Sequence, residues 1–104
     1  MEYFVIGERE IVLGFMLAGV KGQVADNRTA ALDAFNAATN DLSAEKIKVL
    51  ILTEDVSDML AEEVKRWQMK GKAPLIVEIP GLGGHIKGRK SLSDAIREAV
   101  GIQI

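Results

Sequence analysis

The chain has 104 residues, of which 48% are hydrophobic and 27% charged, with a formal net charge of -2, no cysteine and a single histidine. That length serves one domain burying roughly 65% of its unfolded surface, and the charge balance excludes any global attraction to nucleic acid or anionic lipid. The lack of cysteine excludes disulfides and thiolate metal sites, and one histidine leaves little with which to build an all-protein zinc site.

The start, "MEYFVIGERE", has no basic stretch ahead of its apolar run. The longest mostly apolar run, Ile11 to Val20, is far too short to span a bilayer, so a cytosolic protein without direct membrane insertion is expected. Within that start, "YFVIG" at Tyr3 to Gly7 has the length and composition of a buried strand. The following "EIVLGFMLAGV" predicts a short helix that is almost wholly apolar after Glu10, with more apolar surface than one sheet face can cover. "VKGQV" at Val20 to Val24 is a weaker strand, with Gly22 counting against it.

Asn27 to Thr39 reads as a helix with Ala31, Ala34, Phe35 and Ala38 on one face and Asp26 or Asn27 as its cap. "IKVLILT", Ile47 to Thr53, is a second buried strand. Asp55 to Met69 has the clearest helical pattern: Val56, Leu60, Val64 and Trp67 share a face, Glu62 and Arg66 form a favourable pair on the other, and Gly71 supplies the stop. Trp67 is expected in the core. "PLIVEIP", Pro74 to Pro80, completes the strands, and the four methionines form no stripe. Pro80 to Lys90 is glycine-rich, and a last helix starts at Ser91, whose spacing to Asp94 is that of a capping box, with Leu92, Ala95, Ile96, Ala99 and Val100 as its apolar stripe.

Strands alternating with helices imply βαβ units with right-handed crossovers. The expected fold is therefore α/β, a small four-stranded parallel sheet with helices on both faces, Rossmann-like or receiver-like.

Several residues invite chemistry. "GGHIKGRKS" spaces Gly83 and Gly88 like a phosphate loop, but Arg89 takes the lysine position and Lys90 that of the magnesium-binding hydroxyl. Ser91 comes one residue late and serves as a cap. Nucleotide hydrolysis is not expected, nor any catalytic residue or cofactor. Lys87, Arg89 and Lys90 nonetheless crowd the positive end of a helix, an arrangement that calls for an anion or an acidic surface. Glu8, Glu10 and Asp55 at strand ends resemble the acidic, magnesium-holding pocket of a receiver domain, although carboxylates there also serve as plain partners of the helix dipoles. His85 has no carboxylate or serine at informative spacing and receives no role. "GEREIVLG" lacks the close-packed glycines of a dinucleotide site.

Taken in order, "GERE", "LGFMLAG" at Leu13 to Gly19, "ILTED" at Ile51 to Asp55, "PLIVEIPG" at Pro74 to Gly81 and the ending "IREAVGIQI" resemble the F subunit of the V-type and archaeal-type rotary ATPases. The resemblance implies a non-catalytic central-stalk protein that binds the coiled-coil D subunit, turns within the catalytic A/B hexamer and meets a connector subunit of the membrane sector. Such a protein would be cytoplasmic and peripheral to the membrane, with no nucleic-acid partner. It further implies an α/β domain at 1–80, a hinge at 81–90 and a mobile C-terminal helix at 91–104. The hinge would use Gly81, Gly83, Gly84 and Gly88, and partner contacts would come from Lys87, Arg89, Lys90, Leu92, Ile96 and Val100. Met16 stands where that family usually carries a basic residue. The alternative is a small receiver-like regulatory module binding phosphate or nucleotide at the strand ends.

Overall fold

In the computed structural model, residues 3–40 and 47–83 are described. They form β1 (Tyr3–Gly7), α1 (Arg9–Leu17), β2 (Lys21–Val24), α2 (Arg28–Ala38), β3 (Val49–Thr53), α3 (Glu54–Met59), α4 (Ala61–Lys70) and β4 (Leu75–Ile79). All four strands are parallel, in the order β2-β1-β3-β4. The α/β reading and the four-stranded parallel sheet hold. Each predicted strand is present, shortened by at most two residues at an end.

The weak strand is real, and its glycine is the reason it fits. A Cβ on Gly22 would come within 2.5 Å of a Val5 methyl, 2.7 Å of the Val5 carbonyl and 3.0 Å of Val12. Helix α1 thus closes onto the β1–β2 pair through a gap that only hydrogen can leave open. Local propensity counted Gly22 against a strand, and packing reverses the sign.

The main core lies on one face of the sheet. Ile6, Leu50, Leu52 and Ile76 from the strands meet Ala31, Ala34, Phe35 and Ala38 of α2 and Val56, Leu60 and Val64 of the α3–α4 segment. Asn27 caps α2, its side chain accepting from the Ala30 N–H at 2.9 Å. Trp67 packs half-buried against this core and donates its indole N–H to the Pro74 carbonyl at 2.9 Å, as a core reading requires.

The single helix expected over Asp55 to Met69 is instead two, broken at Leu60. In a continuous helix the Met59 carbonyl would accept from the Glu63 N–H. Here that carbonyl accepts from the Arg28 guanidinium of α2, so the break is spanned by a link between helices. Glu62 and Arg66 are both exposed, but the ion pair runs from Glu63 to Arg28, and Arg66 only adds to the field on Glu63. Gly71, in the left-handed conformation at φ 67°, closes α4 as expected.

Candidate functional site: the strand ends and the open sheet face

The second face of the sheet is assembled in rows by the strand register. Tyr3, Val49 and Leu75 lie side by side, then Gly22, Val5, Ile51 and Val77. Helix α1 covers the β1–β2 half through Val12, the one residue it buries. Over β3 and β4 none of the described helices lies on this face, so Tyr3, Leu75 and Val77 are exposed, Leu75 to 65%. Leu13, Met16 and Leu17 extend the exposed apolar surface onto α1, with Leu17 92% exposed. The surplus read from "EIVLGFMLAGV" is therefore present as an uncovered half-face with an apolar helix beside it. Large exposed apolar surfaces of this kind are the usual places for another element to pack.

At the carboxyl ends of the strands lies a cleft of about 410 Å³. It sits where the strand order reverses between β1 and β3, the usual crevice of an open α/β sheet. Glu8 enters from the end of β1, Asp26 from the end of β2 and Asp55 from the first turn of α3, with Arg9 the lone cation among its lining residues. Three helix N-termini, of α1, α2 and the short α3, contribute up to about half a positive charge each. Three carboxylates against these and one guanidinium leave the rim slightly negative, with no positive surplus to hold a phosphate. Thr53 also lines the cleft; it is 1% exposed and its hydroxyl has no hydrogen-bond partner among the described residues.

The expected acidic pocket is therefore assembled in altered form. Glu8 and Asp55 line it, Glu10 does not, and Asp26 joins unforeseen. Among the described residues no group of three carboxylates or imidazoles is arranged to hold a metal ion. Glu8 has another task, since its Oε1 accepts from the backbone N–H of Leu82 at 2.7 Å. Gly81 lies against the same carboxylate, where an added Cβ would overlap Oε1. The first strand thereby holds the chain that leaves the last one.

Of the residues assigned from sequence, Gly81 and Gly83 lie at that exit, and a Cβ on Gly83 would meet open space. Gly84, His85, Lys87, Gly88, Arg89, Lys90, Ser91, Leu92, Ile96 and Val100 lie outside the described residues. No periodicity could have found the Glu8–Leu82 bond or the Arg28–Glu63 pair, because their partners stand 74 and 35 positions apart. No described helix is long and apolar enough to cross a membrane.

Comparison with known proteins points one way. The family described as ATP synthase (F/14-kDa) subunit matches residues 4–100. The A-type ATP synthase F subunit of Thermococcus kodakarensis is 31% identical over 106 residues, covering 100% of this chain and 98% of the relative. Those of Methanocaldococcus jannaschii, at 30% over 105 residues, and Methanosarcina acetivorans, at 31% over 106 residues, are covered to 99% and 98% with all of this chain aligned.

Proposed function

The chain belongs to the ATP synthase (F/14-kDa) subunit family, and from that premise we propose that it is a non-catalytic central-stalk component of a rotary ATP synthase. In this reading it binds the coiled-coil D subunit, turns with it inside the catalytic A/B hexamer, meets a membrane-sector connector and couples ATP turnover to ion transport. It works from the cytoplasmic side as a peripheral component. The observation that carries the reading is the uncovered half-face over β3 and β4, bordered by Leu13, Met16 and Leu17. A protein that ends its burial against a long helical partner needs such a surface; a self-sufficient domain does not.

Residues 1–80 then form the docking domain, 81–90 the hinge and 91–104 the C-terminal helix. Leu92, Ile96 and Val100 make one stripe that serves two states, lying back on the domain or extended along the shaft, with Gly81, Gly83, Gly84 and Gly88 keeping both accessible. The tether from Glu8 to Leu82 anchors the domain-side end of that hinge.

Co-expression with the cognate coiled-coil partner tests the assignment. One stoichiometric complex on gel filtration is expected; two independent monomers would remove it. The alternative, phosphate or nucleotide binding at the strand ends, is opposed by the negative rim of the cleft. Calorimetric titration with ATP, ADP and acetyl phosphate plus magnesium should therefore give no binding heat.

A further inference from the structure

Glu8 belongs to two parts of the fold at once. As the N-cap residue of α1 it opens that helix, its carbonyl accepting from the Val12 N–H at 3.0 Å. Its side chain does not cap the same helix. The carboxylate crosses instead to the chain that leaves β4, where Oε1 accepts from the Leu82 N–H at 2.7 Å. The first turn of α1 is thus left without the side-chain bond that an N-cap residue commonly supplies, although the positive end of a helix favours a carboxylate there.

Gly81 is fitted to this crossing. Among the described residues the glycines at positive φ are Gly19 and Gly71, so the backbone at Gly81 is one that alanine also adopts. The atoms that an added Cβ would meet all belong to the Glu8 carboxyl group, with Oε1 overlapped and the carboxyl carbon at 3.4 Å. The missing side chain at 81 therefore makes room for that carboxylate. Because the overlapped atom is the free end of a flexible side chain, a methyl group at 81 displaces the carboxylate and leaves the sheet in place.

We propose that Glu8 is a two-position latch. Closed, its carboxylate holds the exit of β4 at Leu82; open, it turns back onto the Glu10 and Ile11 N–H groups at the start of α1 and leaves that exit free. Both positions offer one charged acceptor a backbone N–H, so they lie close enough in free energy to interconvert. The helix that carries the exposed Leu13, Met16 and Leu17 is thereby joined to the path of the chain beyond β4. The bearing of the latch on docking rests on the stalk reading, whereas the latch itself is a property of the isolated chain.

Hydrogen exchange of the full-length chain, followed amide by amide by NMR, tests the latch without a partner. Gly81→Ala should lower the protection of the Leu82 N–H about tenfold, the loss of one charge-assisted bond, and raise that of Glu10 and Ile11. Glu8→Ala should lower Leu82 as far with no gain at Glu10 and Ile11, and Glu8→Gln, which keeps the accepting oxygen, should fall between Glu8→Ala and the parent. Leu50 and Leu52, fully buried in β3, should exchange as in the parent throughout. Equal protection of Leu82 in the parent and Glu8→Ala, a loss shared by Leu50 and Leu52, or a loss in Gly81→Ala with no gain at Glu10 and Ile11 would each overturn the proposal. A chain that shows these shifts but does not join the coiled-coil partner loses the stalk reading alone; one that joins it with Leu82 indifferent to Glu8 loses the latch alone.

Discussion

Leu60 occupies the junction of α3 and α4 with none of its surface exposed. Leu60→Ala should cost about 2–5 kcal/mol, the range for a buried leucine whose surroundings cannot collapse, measured by urea unfolding. Leu17→Ala, at a side chain almost fully in solvent, should stay within about 0.5 kcal/mol. Helical spacing identified Leu60 as core, since Val56, Leu60 and Val64 recur at that period in either one helix or two. It gave no sign of the break, where the Met59 carbonyl bonds to Arg28, on a different helix. The Arg28–Glu63 pair also sets a pH dependence. The hydrogen bond from Arg28 holds the Glu63 carboxyl below its ordinary 4.5. The unfolded chain therefore takes up this proton first, so the pair's contribution is complete above that value and is lost as the pH falls below it. Arg28→Met should be less stable than the parent at pH 7, and the difference should shrink toward pH 3 in thermal melts.

At the scale of elements, sequence and structure agree on strands and disagree on coverage. Apolar runs with flanking turn residues located β1, β3 and β4 to within two residues, since a buried parallel strand advertises itself by composition, while the largely exposed β2 was legible only as a weaker strand. Periodicity says that a helix has an apolar face; it does not say which half of a sheet that face meets. The open half over β3 and β4 is therefore a property of packing, settled where Gly22 lets α1 close on β1 and β2. The hinge belongs to this scale as well. Gly83 has room for a side chain, so Gly83→Pro combined with Gly84→Ala should leave the isolated domain folded by circular dichroism. The same pair should change the ATPase rate or its regulation in the assembled complex, and unchanged turnover would count against a switching role.

For the whole molecule, the decisive surfaces are the uncovered half-face and the cleft, one on a face of the sheet and one at its strand ends. The apolar residues of the first were legible as a surplus in "EIVLGFMLAGV", whereas of the second Glu8 and Asp55 were legible as strand-end carboxylates and Asp26, on a third loop, was not. Leu17→Glu together with Leu75→Glu should weaken the complex with the coiled-coil partner at least tenfold. Losing the burial of even one leucine, about 1.5–3 kcal/mol, is enough for that. Both side chains are exposed, so the isolated variant should melt close to the parent temperature.

The indole of Trp67, bonded to the Pro74 carbonyl and overlain by the Lys70 ammonium at 5.3 Å, lies by the starting end of β4. The chain has no other tryptophan, and the cleft lies at the far end of the strands. Its fluorescence is thus a label already in place, blind to events at the strand ends and sensitive to the loss of the domain. A mutation that alters docking can be separated from one that unfolds the protein by emission wavelength alone, in the same cuvette.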